Sequence, residues 1–339
     1  MKSSGMPLNR CDLPAAVNVL RWVGWETFRQ ASASRLGAVL LTVTVIAVIF
    51  CAGVRVRGGR LERGPTELIE FVPRGLELNA EQRQRAGVVF IEGETTLAYG
   101  LIRVPHARTA EDSVHFVQLI LAVAVAGTLG LLLTLVWTAG FLPTFLEPYQ
   151  ATIVLTKPVP RVWLLGGKYL GVTAYVGIQA TVFVGATWLT LGLATGIWSA
   201  LYWWAVPLLV LQFAVFFAFS VLLAVGSRST VVCIVGSVSF WFFCSAVNSN
   251  HIQHVVSESP GESQASIGQI AYWILPKPLD LFWLLGRTLR ADSYLSTWSA
   301  LQAYGHRVDV SWEPAVFSSL IFAVLLFVVA WGLLRRVTI

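Results

Sequence analysis

Between Tyr169 and Ser227 the chain runs for 59 residues without one charged side chain. The apolar core of a bilayer takes about 20 residues of helix. A run this long is two spans joined by a tight turn. The turn falls in "TGIWSALYWW", Thr195–Trp204. Gly196 breaks the helix there, and Trp198, Tyr202, Trp203 and Trp204 read as an interfacial belt. The spans that follow from this are 169–194 and 203–226.

The same reasoning gives four more spans. Residues 36–54, 229–247 and 315–334 each fit one crossing. Phe116–Leu146 is free of charge for 31 residues. That is more than one crossing needs, so span 115–143 is expected to tilt or to project beyond the hydrocarbon. The chain is 56% hydrophobic and 12% charged, with mean hydropathy +0.69. Soluble domains are about a quarter charged. The alternating strands of about ten residues that a barrel needs are absent. The fold class is an all-α integral membrane protein with six transmembrane helices.

Lys and Arg near span ends set the orientation. With the N-terminus inside, residues 1–35, the 144–168 loop, Arg228 and the tail 335–339 hold eleven basic residues against three acids. The outer segments hold thirteen against fifteen. Arg55, Arg57 and Arg60 after span one are a contrary signal. N-in, C-in is the orientation expected. Residues 1–35 lack a long apolar region and do not read as a cleaved signal peptide. "VNVLRWVGWETFRQASASR" mixes Trp22, Trp25 and Phe28 with Arg21, Arg29 and Arg35. That pattern fits a helix lying in the inner headgroup layer, or else an extension of helix one. In the outer loop 55–114, "VVFIEGETTLAYGLIRV" alternates around Gly93-Glu94 and predicts a β-hairpin. In the outer region 248–314, "YWILPKPLDLFWLLGRTLR" is broken by Pro276 and Pro278, and its apolar run is too short to cross. An interfacial or re-entrant segment before the last span is expected.

Several chemistries lack their residues. A phosphate-cradling loop needs GxxxxGK followed by Ser or Thr. Around Gly167-Lys168, Val162 and Tyr169 stand where Gly and Ser/Thr would be, so any ATP use belongs to another chain. No cofactor is expected here. Basic residues are scattered, with no nucleic-acid stripe. The pI near 9.4 fits anionic lipid headgroups. Cys11, Cys51, Cys233 and Cys244 form no CxxC, and no metal site is expected. His251 and His254 in "HIQH" could share a helix face, but they read first as a solvated outer loop. The spans carry only neutral polar groups, such as Gln118, Thr128, Gln179, Gln212, Ser220 and Ser237. These suit helix–helix hydrogen bonds, or a substrate path. Proton or ion coupling lacks its ionisable residues. For a membrane-embedded enzyme the nearest set is His251, His254 and Asp280, which nothing in the sequence ties together.

One inner loop stands apart: "LEPYQATIVLTKPVPRVWLLGGKYLG", Leu146–Gly171. "LEPYQATIVLT" can form about two turns of helix. Pro158 and Pro160 stop it, because each disfavours helix in the residue before it. Arg161 opens the next helix, and Lys168 follows on about the same face, where both can snorkel to phosphates. The stretch resembles the cytoplasmic loop of ABC-2 type permeases. The resemblance rests on Glu147, Leu155, Lys157, Pro158, Arg161, Gly167, Lys168, Tyr169 and Gly171. "LPKPLDL" before the last span looks like the subgroup of sodium-export and copper-enzyme-maturation permeases.

That resemblance implies a permease subunit of an ATP-driven exporter in a bacterial cytoplasmic membrane. It would pair as a homodimer or heterodimer and bind two cytoplasmic ATPase subunits. Glu147, Thr156, Lys157 and Arg161 would couple to the ATPase, and Lys168 would anchor the segment at the lipid interface. The chain itself would not be an enzyme. A different reading is a permease-like scaffold that passes ATPase motion to an outer partner through loop 55–114. A membrane-embedded enzyme is a third.

Overall fold

The computed structural model describes residues 21–22, 24–30, 35–57, 93–106, 110–140, 161–257, 267–291 and 312–336. Of these, 88% are helical. Five helices are long and apolar enough to cross a membrane: α2 (Ala110–Thr138), α3 (Arg161–Thr195), the pair of Ala200–Trp204 and α4 (Ala205–Ser227), α5 (Thr230–Ser257) and α8 (Trp312–Arg336). The first predicted span is α1, Arg35–Ala52, whose apolar part Gly37–Ala52 is shorter. Two short helices, α6 (Ile267–Ile274) and α7 (Pro278–Thr288), form an elbow between α5 and α8.

The long charge-free run divides as its length requires. α3 ends at Thr195, Gly196 takes φ +75°, and α4 returns after a 3₁₀ turn. Only Gly adopts that backbone freely. Trp188 Nε1 donates to Ser199 O at 2.9 Å and stacks edge-on against Trp198, which locks the turn. Trp198, Trp203 and Trp204 stay exposed, but Tyr202 does not. Its ring is fully buried, and its hydroxyl lies 3.2 Å from Thr187 Oγ1. The aromatic residues that the turn exposes are therefore three tryptophans, without the tyrosine. The tyrosine turns inward because α3 offers its oxygen a partner.

The over-long apolar run solves its length problem internally. Residues Leu121–Gly130 of α2 are π-helical. A π turn takes up one more residue than an α turn, so the segment absorbs chain without lengthening the span. Glu111 and Asp112 sit in the first turn of α2, where the helix dipole favours acids.

Outside the bundle, β1 (Arg55–Arg57), β2 (Gly93–Leu97) and β3 (Ile102–His106) form an antiparallel sheet in that order. The hairpin turns at Ala98–Leu101, not at Gly93-Glu94, which lie inside β2. Ala98, Tyr99 and Gly100 all have positive φ. Tyr99 N–H donates to Gly53 O at 3.2 Å, so the tip is stitched to the end of α1. A Cβ on Gly53 would stand 2.7 Å from Tyr99, so only Gly allows this approach. Tertiary contact, not local turn chemistry, places the turn. Arg55, the contrary charge, is tied into the bundle. Its guanidinium donates to Ala194 O in the last turn of α3, at 3.0 Å.

Two hydrophobic clusters fill the bundle. One, at the sheet end, joins Cys51, Val117, Leu191, Tyr202, Ile252 and Leu284. The other, at the far end, joins Leu135, Leu165, Phe217, Cys233, Trp241 and Leu334. Lipid is as apolar as these side chains, so close packing rather than exclusion of water holds the helices together.

Candidate functional site

Polar side chains are buried at two places. The first is the entry of α3. Arg161 opens this helix, and Lys168 lies two turns on. Lys168 is 6% exposed, and its Nζ donates to Gln30 Oε1 at 2.9 Å. Gln30 Nε2 in turn donates to Glu26 Oε1 at 3.3 Å. Both partners lie on the N-terminal helix, residues 24–30. A Cβ on Gly171 would stand 3.0 Å from Gly24 Cα and 3.2 Å from Thr27 Cβ. Two glycines therefore let the backbones meet, and Thr27 is fully buried between them. Phe28 then meets Tyr175 edge-on at 5.7 Å, and Tyr175 meets Trp137 of α2 at 5.0 Å. Trp22 and Trp25 remain exposed on the outer face. Lys168 thus clamps α3 to the N-terminal helix from a buried position. Gln30 carries little signal in the sequence; only its place one turn beyond Glu26 hints at it.

Glu147, Thr156 and Lys157 fall in residues 141–160, outside the described residues. So does the side chain of Arg161, although its backbone begins α3.

The second place is the elbow between α6 and α7. α5 continues past the expected end of its span to Ser257, so Asn248, His251 and His254 lie on a helix rather than in a loop. Asp280 is 1% exposed. It accepts from Asn248 Nδ2 at 2.9 Å and from the Tyr272 hydroxyl at 2.5 Å. Asn248 Oδ1 accepts from the backbone N–H groups of Leu279 and Asp280, at 2.9 and 3.3 Å. Lys277 precedes α7 and does not cap it. Asn248, reaching over from α5, satisfies the first turn instead. His251 stacks on Tyr272 with ring centroids 3.7 Å apart. Lys277 is 2% exposed, with its ammonium 4.3 Å from the Tyr272 centroid and 4.4 Å from that of Trp273. Burial lowers its pKa, and the Asp280 carboxylate partly opposes this. His251 and Asp280, unconnected in sequence, are joined through Tyr272. The side chain of His254 lies outside the described residues. Among the described residues, no group of three or more His, Cys, Asp or Glu could hold a metal ion. Sequence reasoning misses Asn248, Tyr272 and Lys277; a lysine and an aspartate flanking Pro278 in an apolar run are the available signal.

The elbow is set deep in the bundle. Leu275 packs on the far-end cluster with Trp241 and Cys244. The Phe282 ring lies where a side chain on Gly127 would be, midway along α2. Nearby, Leu40, Thr44, Val125, Gly130, Gln179 and Phe213 border an apolar cavity of about 60 Å³.

The neutral polar groups of the spans behave unequally. Gln179 reaches Thr44 of α1 at 3.5 Å, the limit of a hydrogen bond. Thr128 bonds within its own helix. Gln118, fully buried, meets no partner at either amide atom among the described residues.

No protein-family model matches the chain, and no curated protein matches it.

Proposed function

We propose that this chain is the transmembrane subunit of an ATP-driven exporter of the ABC-2 type. One observation carries the reading: the lever at α3. The helix runs 35 residues without a break, from the proline-broken stretch 146–160 through the bundle. Its first turns are clamped to the N-terminal helix by Lys168–Gln30 and the Gly24–Gly171 approach. A push on Glu147, Thr156, Lys157 or Arg161 therefore acts on a stiff element. An ATPase that binds one arrangement better than another shifts the equilibrium between them.

In this reading there are six spans. Gly37–Ala52 is the first, and its 16 residues cover about 24 Å, which a bilayer accommodates by thinning. The α6–α7 elbow is a re-entrant hairpin, in keeping with the depth of Leu275 and Phe282. Both termini face the cytoplasm of a bacterial cell. The partners are two copies of an ATPase, a second permease subunit and lipid. Hydrolysis and its nucleotide belong to the ATPase.

The test is a detergent pull-down of tagged protein, with mass spectrometry and an ATPase assay of the eluate, for wild type beside Glu147→Arg. A P-loop ATPase is expected with wild type and at least tenfold less with the variant. Its absence from wild type under conditions that hold known membrane complexes together would sink the reading.

A second reading has its own observation. The outer sheet is fixed to α1 through Gly53 and to α3 through Arg55, so motion of those helices would reach an outer partner. Deleting the 55–114 loop separates the two. Lost activity with intact substrate flux favours the scaffold; lost flux favours the exporter.

A further inference from the structure

Three features meet in residues 121–130 of α2. The segment is π-helical over ten residues, whereas π turns ordinarily come singly and often mark functional sites. The wide turn shows at its lower end, where Leu131 N–H reaches Ala126 O, five residues back, as well as Thr128 O. The Thr128 side-chain hydroxyl donates to Val123 O at 3.0 Å. The segment is also wedged. A Cβ on Gly127 would stand 2.6 Å from Phe282 Cε1 and 2.9 Å from Ala122 O. The α7 ring and the carbonyl of the wide turn together fill the space of a side chain. Finally, Val125, Ala126, Gly130 and Leu131 border the half-open pocket of about 60 Å³, so the segment is loosely covered on that side.

We propose that this segment is a two-register hinge. Phe282 holds it in the wide register, and withdrawal of α7 lets a turn close into the α register. Closing one wide turn advances everything below it by about one residue, roughly 100° around the axis and 1.5 Å along it. The sequence tolerates both registers, because Ser113–Leu146 contains no Asp, Glu, Lys or Arg. No charged side chain of the lower half would have to enter lipid or the bundle in either register. The part that turns is Leu131–Thr138, together with the chain that leaves it towards residues 141–160. The α6–α7 elbow is thereby linked to the opposite end of the bundle through rotation of one span. This inference stands without the exporter reading, and its test involves neither ATP nor a partner.

The test uses the full chain in lipid nanodiscs with Cys11→Ser; the other cysteines, Cys51, Cys233 and Cys244, are buried. Single cysteines placed in turn from Leu132 to Trp137 carry a nitroxide, and oxygen access is read by power saturation. In the parent, access peaks at the exposed Val136. In Gly127→Ala and in Phe282→Ala the peak moves by one residue. In a chain lacking Ala124, which removes a surplus residue from the wide turns, adding Phe282→Ala no longer moves it. An unshifted peak in both Gly127→Ala and Phe282→Ala, in proteins that melt within a few degrees of the parent, overturns the hinge. So does an equal shift by Phe282→Ala with and without Ala124.

Discussion

Asp280 has both oxygens taken, by Asn248 and by Tyr272, at 1% exposure. Replacing it with Ala removes the acceptor of a buried amide and of a buried phenol together. The expected cost is about 3 kcal/mol, since bonds to a charged group contribute roughly 1.5–3 kcal/mol each. Tyr272→Phe removes one donor and leaves the other, so it costs about half as much. A thermal-shift series in detergent reads that order; equal melting points for both variants and wild type would mean that the cluster does not lock α7. Lys277 behaves oppositely. Burial lowers its pKa below the ordinary 10.5, so the folded state binds fewer protons than the unfolded one between that lowered pKa and 10.5. Its destabilising contribution is full at pH values below the lowered pKa, and fades as pH rises towards 10.5. Lys277→Met should therefore raise the melting point at neutral pH, by an amount that shrinks as pH rises towards 10.5. A gain independent of pH would assign the effect to packing alone.

At the scale of the element, the N-terminal helix depends on a glycine. Gly171→Val adds methyls where Gly24 and Thr27 already crowd, at an overpacking cost of about 1–3 kcal/mol. The docked helix should loosen, and limited proteolysis near residues 21–30 should quicken several-fold while the spans stay intact. An unchanged cleavage rate would mean that Lys168 and Gln30 hold the helix unaided. This docking is only half legible in the sequence. The Trp–Arg mixture announces a helix that prefers an interface, but nothing local names the surface it meets. The turn at Thr195–Trp204 is legible, because counting charge-free residues forces it. The outer hairpin is legible as a hairpin but misplaced by about five residues. Gly93-Glu94 has good turn composition, yet Gly53, far away in sequence, decides where the chain reverses. Tyr202 fails for the same reason: composition places it at the surface, and Thr187 draws it in. The elbow cluster cannot be assembled from sequence because its partners come from three helices.

For the whole molecule, the sidedness of the bundle is directly testable. Leu101, 87% exposed at the hairpin tip, and Arg228, in the tight turn between α4 and α5, lie at opposite ends. With the orientation proposed here, Leu101→Cys should react with an impermeant maleimide on intact cells, and Arg228→Cys only after permeabilisation. The reverse pattern would invert the topology and place stretch 146–171 outside. The clamp between Lys168 and Gln30 also bears on biogenesis. Its two halves are separated by 138 residues. At about 5–20 residues per second of synthesis, the N-terminal helix exists for roughly 7–30 s before its seat emerges. In the orientation proposed here, the exposed Trp22 and Trp25 suit the headgroup layer during that interval. On that proposal the helix that ends as a bundle contact begins as a lipid-bound float, and a nascent chain stalled before residue 168 should hold it at the membrane surface.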